Sequence, residues 1–142
     1  MTFASQAAPT APRTSTPVEG YQSGTCNIGP AEIARRRRAG HVGLITAIVL
    51  LAVLVLIDAP PLLRLLVALP AAAAASGYLQ AYLKFCAGFG SRGVYNFGEL
   101  GTTRQVEDPA ARRQDRARST QIGLASLAIG VLVGLAVAVL PL

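Results

Sequence analysis

Three long stretches of the chain lack charged side chains and consist mostly of apolar residues, at 39–57, 65–83 and 119–142. A helix of about 20 apolar residues crosses the hydrocarbon core of a bilayer. In these stretches Leu, Ile, Val and Ala fall on every side of a projected helix, which is typical of a helix surrounded by lipid and other helices. The pattern predicts an all-α integral membrane protein with three transmembrane helices, at 40–57, 62–86 and 120–140.

Local signals place the ends and bends of these helices. Pro70 removes one backbone hydrogen bond inside the second span, so we expect this span to be kinked there. Gly29 and Pro30 have the residue types of an N-cap and a first helical position, which predicts a helix start just before the first span. Asp108 and Pro109 form the same kind of pair, and they predict a basic helix that continues into the third span.

The chain divides into a polar tail and a membrane domain. Residues 1–25 are rich in Ala, Pro, Ser and Thr, and a segment with so few bulky side chains cannot offset its ordering entropy. We therefore predict a disordered tail over 1–25 and a three-helix membrane domain over 26–142. A glycine-rich loop over 87–119 joins the second and third spans. Its GxGxxG run at 88–93 follows a transmembrane helix instead of the strand that a dinucleotide fold requires, so a turn is predicted.

Charge supports the membrane assignment and suggests an orientation. Only 14% of the residues are charged, against about a quarter in soluble domains, which excludes a soluble enzyme with its own core. The net charge is +6, and basic residues beside membrane spans mark the cytoplasmic side. We predict a multi-pass protein of the bacterial inner (cytoplasmic) membrane, with the N-terminus and the 87–119 loop inside. The Asp58–Pro61 turn and the C-terminus then lie outside.

The basic residues favour lipid as a partner and not nucleic acid. Arginines beside an anionic inner leaflet each gain on the order of 1 kcal/mol. The predicted lipid-facing basic cluster consists of Arg35, Arg36, Arg37, Arg38, Arg112, Arg113, Arg116 and Arg118.

Small residues recur at four-residue steps in the third span and gather in the second. Such faces let two helix backbones approach closely, as in GxxxG contacts. The predicted helix-packing positions are Ser126, Gly130, Gly134, Ala138, Ser76 and Gly77.

Few residues could carry chemistry. Cys26 and Cys86 are both predicted on the reducing cytoplasmic side, so a structural disulfide is not expected. With His41, the sole histidine, they supply three ligands where a structural zinc site needs four. These three residues are weak metal candidates, and small buried thiols are the favoured interpretation. No nucleophile–base set or carboxylate pair has a recognisable spacing, so we expect neither an enzyme nor a cofactor. Asp58 and Arg64 beside the outer turn are interpreted as interfacial charges.

Two stretches of the chain stand out from the generic apolar spans. They are CNIGPAEIARRRRAGHVG at 26–43 and GYLQAYLKFCAGFGSRGVYNFG at 77–98. Both resemble segments of small, uncharacterised multi-span bacterial membrane proteins. The resemblance covers about 40 residues at the predicted cytoplasmic face. It implies a membrane location and no catalytic residue.

Three functional hypotheses follow from this sequence. The leading one is a non-catalytic accessory or scaffold subunit of an inner-membrane protein complex, for example an energy-converting one. It follows from three uncharged spans, two small-residue faces and the lack of a catalytic set. The second is a thiol- or metal-linked membrane redox or sensor protein that uses Cys26 and Cys86. The third is a homo-oligomeric pore or carrier, which the lack of ionisable residues within the spans disfavours.

Overall fold

The computed structural model describes residues 20–142, which form a bundle of long helices with a small cap of mixed structure at one end. The elements are α1 (Pro30–Leu56), α2 (Pro61–Arg64), a 3-10 turn (Leu65–Val67), α3 (Ala68–Leu83), α4 (Ala87–Arg92), strand β1 (Val94–Tyr95), strand β2 (Arg104–Gln105) and α5 (Pro109–Val139). The two strands pair antiparallel. Three segments are long and apolar enough to cross a membrane: α1, Pro61–Leu83 and α5. The predicted three-span architecture is confirmed.

Helices α1 and α3 are in direct backbone contact. A Cβ atom added to Gly77 would overlap the backbone nitrogen of Gly40, and one added to Gly43 would lie 2.6 Å from the nitrogen of Ala74. Only glycine fits at these positions, and close backbone approach is the form of packing that membrane helices favour. Gly77 was a predicted packing position. Its partner Gly40 on α1 was not, and neither was Gly43.

The small-residue face of α5 packs against α3, which is the central helix of the bundle. A Cβ atom on Gly130 would lie 2.5 Å from Ala72 Cβ and 2.6 Å from the Ala68 carbonyl oxygen. A Cβ atom on Gly134 would lie 2.8 Å from Ala68 Cβ. The small-residue face of α5 therefore forms a helix–helix contact within this chain.

Two further predicted packing positions on α5 behave differently from the glycines. Ser126 is buried, and its hydroxyl donates to the Ile122 carbonyl at 2.7 Å. This back-bonding within the helix removes the need for a polar partner on another helix. Ala138 is half-buried, and its neighbour Val137 is the buried residue at this level of α5.

The second span is interrupted just before Pro70. This proline is the third residue of α3, and the chain immediately upstream winds as a 3-10 turn at Leu65–Val67. A proline nitrogen cannot donate to the carbonyl of Leu66, four residues earlier, and its ring crowds that turn. The regular α-helix of this span is thus interrupted by a tightened turn upstream of the proline.

At the end of the bundle away from the cap, Arg64 is buried and holds the chain together. Its Nε donates to the Ala59 carbonyl at 3.1 Å, and its two Nη atoms donate to the Leu140 and Leu142 carbonyls at 3.3 and 3.2 Å. The interpretation of Arg64 as an interfacial charge is therefore wrong, because three backbone carbonyls satisfy the guanidinium inside the fold. Asp58 is exposed, as expected.

Two predicted boundaries need correction. The second helix ends at Leu83 and not at 86, because Lys84 adopts a left-handed conformation with φ of 53°. Within the predicted 87–119 loop, α5 begins at Pro109 as the Asp108–Pro109 pair predicted, and the Asp108 side chain accepts a hydrogen bond from Ala110 N–H and caps this helix. The predicted disordered tail extends too far, because Gly24 N–H donates to Asp115 of α5 at 2.7 Å. Residues 1–19 of that tail lie outside the described residues.

Replacing Gly130 with alanine is expected to destabilise the bundle by about 1–3 kcal/mol, because the new methyl group meets Ala68 and Ala72. Gly123 lies on the same helix and has no atom within 4 Å of an added Cβ, so Gly123→Ala is the matched control. It should be neutral or slightly stabilising, since alanine is the better helix former. Thermal unfolding in detergent compares the two variants. Equal shifts of the midpoint would mean that α5 does not pack through this face.

Candidate functional site: a buried polar cluster in the cap

Asn27 is fully buried and joins the segment before α1 to the segment after α3. Its Nδ2 donates to the Cys86 carbonyl at 3.0 Å, and its Oδ1 accepts from the Cys86 N–H at 2.7 Å. One side-chain amide thus satisfies both backbone groups of one residue, as a paired β-strand would. Cys86 directly precedes α4, so this contact also fixes where α4 begins.

Backbone hydrogen bonds extend this junction to the strand side of the cap. Asn27 N–H donates to the Lys84 carbonyl at 3.2 Å, and its own carbonyl accepts from Asn96 N–H at 3.0 Å. Gly29 N–H donates to the Asn96 carbonyl at 2.8 Å. An added Cβ on Gly29 would lie 2.9 Å from Phe97 Cα, so this position requires glycine. Residues 27–29 therefore bridge two otherwise separate segments.

Arg36 of α1 lies between a buried carboxylate and a buried sulfur. Its Nη2 atom is 2.9 Å from Cys86 Sγ and 3.7 Å from Glu32 Oε2. Glu32 and Cys86 are each 1% exposed. A carboxylate in such a place is costly unless a positive charge lies beside it. The guanidinium also lies 5.8 Å from the centre of the Phe89 ring, a cation–π distance.

Asn96 completes the group. Its Nδ2 donates to the Glu99 carbonyl at 2.8 Å and lies 3.4 Å from Glu32 Oε1. Its Oδ1 accepts from Gly98 N–H and from the Thr102 hydroxyl, at 2.9 and 3.2 Å. These bonds shape the turn between β1 and β2. We call the following five side chains the polar cluster: Asn27, Glu32, Arg36, Cys86 and Asn96.

The cap is also fixed to the central membrane helix. Gln80 of α3 donates to the Ser76 hydroxyl at 2.8 Å, and its Oε1 accepts from Ala87 N–H at the start of α4 at 3.0 Å. Ser76, predicted to pack between helices, therefore orients Gln80. Gly90 of α4 lies against the Phe85 ring, where an added Cβ would be 2.7 Å away.

Tyr21 attaches the segment before the cluster to α5. Its hydroxyl donates to Asp115 Oδ2 at 2.7 Å, and its ring stacks on Tyr95 at 4.8 Å between centroids. Burial, together with the neighbouring Asp115 carboxylate, raises the pKa of Tyr21 well above its ordinary value of 10.0. The phenol therefore remains a hydrogen-bond donor throughout the physiological pH range.

The three weak metal candidates do not form a shared site. His41 is exposed on α1, and its Nδ1 is 2.6 Å from the Tyr78 hydroxyl. Cys26 is half-buried, and its Sγ is 3.8 Å from the Ile28 carbonyl. Within residues 20–142, no three His, Cys, Asp or Glu side chains are grouped in a way that could hold a metal ion.

The predicted basic cluster divides into two groups. Arg36 and Arg118 are half-buried, and Arg36 belongs to the polar cluster. Its assignment as a lipid-facing residue is wrong, because Glu32 and Cys86 draw it into the cap. Six members are exposed at the cap end of α1 and α5: Arg35, Arg37, Arg38, Arg112, Arg113 and Arg116.

The GxGxxG run at 88–93 is mostly helical and does not form a glycine-rich nucleotide loop. Its first five residues lie in α4, and Gly93 ends that helix in a left-handed conformation with φ of 68°. Nearby, a recess of about 420 Å³ lies beside the β1–β2 hairpin, with Phe97, Thr102 and Arg104 in its lining. The amide of Asn96, also in that lining, is already bonded within the chain.

The geometry of the polar cluster is suited to holding chain segments together. The side-chain amides of Asn27 and Asn96 bond to backbone groups, and Arg36 compensates the buried Glu32. The one thiol in the cluster is Cys86 Sγ, with a guanidinium nitrogen at hydrogen-bond distance. Comparisons with protein-family models, with curated proteins and with solved structures gave no match to this chain.

Sequence reasoning found the two cysteines but missed the asparagines that organise the cluster. Asn27 and Asn96 are the two asparagines of the chain, and one lies in each of the unusual stretches at 26–43 and 77–98. The structure brings these stretches together through Asn27, Arg36 and Asn96. An asparagine two residues before a glycine, as in Asn27-Ile28-Gly29 and Asn96-Phe97-Gly98, was the available signal.

Asn27→Ala is expected to lower the free energy of unfolding by about 1–3 kcal/mol, because it leaves the Cys86 N–H buried without a partner and removes one of the two hydrogen bonds to the Cys86 carbonyl, which keeps its bond from Gly90 N–H. Gln105→Ala, at an exposed position in β2, is the control and should change little. Chemical or thermal unfolding of the detergent-solubilised chain gives both values. A loss no larger than that of the control would show that Asn27 does not hold the cap.

Proposed function

We propose that this protein is a non-catalytic accessory or scaffold subunit of an inner-membrane protein complex. The observation that carries the proposal is the use of the cap's buried polar side chains. The side chains of Asn27 and Gln80 bond to the backbone at the start of α4 and fix the cap onto the membrane helices, and the Asn96 side chain holds the turn after β1. A cap fixed in this way on long membrane helices is suited to presenting a surface to other subunits.

The proposed orientation places the cap in the bacterial cytoplasm. Residues 20–29, the segment from 84 to 108 and the start of α5 all lie at the same end of the bundle. This end carries the exposed arginines, which supports a cytoplasmic location by the distribution of positive charge. The Asp58–Pro61 turn and the end of α5 lie at the other end, joined by Arg64.

Two exposed surfaces are available to partners. One is apolar and runs along α5, with Leu124, Leu127 and Leu132 each more than half exposed. This surface is suited to lipid or to a neighbouring membrane helix. The other is the basic surface formed by Arg112, Arg113 and Arg116 at the start of α5. It is suited to an acidic face of another subunit, as in an energy-converting complex, or to anionic lipid.

Pull-down of the tagged chain from its native membrane in mild detergent tests this proposal. We expect a membrane-protein partner at fixed stoichiometry, and its loss in an Arg112→Glu, Arg113→Glu, Arg116→Glu variant. The matched control reverses the same number of charges at Arg35, Arg37 and Arg38, and it should retain the partner if the contact lies on α5. A chain recovered alone, with and without cross-linking before solubilisation, would contradict the role of a subunit.

A thiol-linked redox or sensor function is the second candidate. The contact of 2.9 Å between Arg36 Nη2 and Cys86 Sγ favours it, since a guanidinium beside sulfur promotes cysteine reactivity. A double-mutant cycle of Cys26→Ala and Cys86→Ala on thermal stability, with metal analysis of the wild type, separates the two functions. Additive effects and no bound metal support the scaffold. Coupling above about 0.5 kcal/mol together with stoichiometric metal supports the thiol site.

A further inference from the structure

A recess opens on the outer side of the contact between α1 and α3. It has a volume of about 520 Å³, and its lining includes Ala39, Val42 and Thr46 of α1 with Pro70 and Ala73 of α3. Its size falls within the range of small-molecule sites. The recess exists because Gly43 brings the two backbones together while the short side chains beside it fill little space.

The side chains that line this recess offer no free hydrogen-bonding group to an occupant. The single hydroxyl among them, on Thr46, already donates to the Val42 carbonyl at 2.8 Å. Pro70 lacks a backbone N–H. The recess lies within two segments that can cross a membrane, so the chemistry that fits it is a hydrocarbon chain.

The same face of α1 becomes basic at its cap end. Arg35 precedes Ala39, Val42 and Thr46 by four, seven and eleven residues, spacings that align side chains along one face of a helix. Arg38 precedes Val42 by four residues and is exposed. The Arg35 side chain is 58% exposed, with only a loose contact of 3.9 Å to Glu32.

The length of this face matches one leaflet of a bilayer. From Arg35 to Thr46 the helix rises by roughly 16 Å at 1.5 Å per residue. The hydrocarbon thickness of one leaflet is about 15 Å. A lipid whose acyl chain lies in the recess would therefore have its headgroup at the level of the two arginines.

We propose that the recess between α1 and α3 is a binding site for one phospholipid with an anionic headgroup. One acyl chain lies against Ala39, Val42, Thr46 and Ala73, and Arg35 and Arg38 bind the headgroup phosphate. The proposal deepens the contact of the basic residues with an anionic leaflet and rests on that part of the proposed function. It does not depend on a protein partner.

Native mass spectrometry of the full chain, titrated with phosphatidylglycerol or phosphatidylcholine, tests this site. We expect one phosphatidylglycerol per chain, bound about tenfold more tightly than phosphatidylcholine. Ala73→Phe, which fills the recess, should abolish retention of both lipids. Ala128→Phe, at an exposed position on α5 outside the recess, should leave retention unchanged. An unchanged thermal midpoint for each variant shows that the fold is retained.

Charge variants separate a site from diffuse attraction. Arg35→Gln with Arg38→Gln should remove the preference for phosphatidylglycerol and leave one weakly bound lipid of either kind. The control, Arg113→Gln with Arg116→Gln, removes the same charge from α5 and should preserve the preference. Equal losses in both pairs, several equivalent bound lipids, or an Ala73→Phe variant that binds as the wild type does would each overturn the proposal. None of these results bears on the pull-down of a protein partner.

Discussion

The hydrogen bonds between the Asn27 amide and the backbone of Cys86 are the interaction on which the cap depends. The chain after α3 must leave the membrane, turn and begin a short helix, and a buried turn exposes backbone groups that need partners. Asn27 supplies those partners from a segment some 59 residues away in sequence. The position of residues 27–29 then places Gly29 at the start of α1 and Asn96 at the end of β1.

The membrane helices follow a different constraint, which is close backbone approach. In a bilayer, burial of apolar side chains from water does not drive helices together, so close packing of small residues takes that role. Gly77 faces Gly40, and Gly130 faces Ala68 and Ala72, so α3 makes such contacts with both neighbours. The outer surfaces of α1 and α5 remain apolar and exposed. These contacts are made within one chain, and the outer flanks of the bundle stay apolar.

How far the sequence predicts the structure depends on the range of the interaction. The spans, the helix starts at Pro30 and Pro109, and the disturbance before Pro70 follow from local composition and backbone chemistry, and the structure has them. The partners of Arg36 and Arg64 could not be predicted. Each is set by tertiary contacts, with a sulfur 50 residues away and with carbonyls 76 and 78 residues away. Patterns of charge alone assigned these two arginines to the membrane surface.

The candidate site shows the same division. Cys86 could be singled out because cysteine is rare in this chain, but its neighbours Asn27 and Glu32 come from segments whose proximity no periodicity reveals. The two stretches of unusual sequence meet at one place, and their residues form most of the buried polar contacts of the cap. This meeting is the structural basis for treating the cap as the functional part of the molecule.

The most direct measurement is hydrogen exchange of backbone amides in the intact, detergent-solubilised chain. The account predicts that the amides of Gly29, Cys86 and Asn96 exchange slowly and with the same opening free energy, because one junction protects all three. Fast exchange at Cys86 alongside slow exchange in α3 would contradict the account. It would show that the cap opens independently of the membrane helices and that Asn27 does not hold it closed.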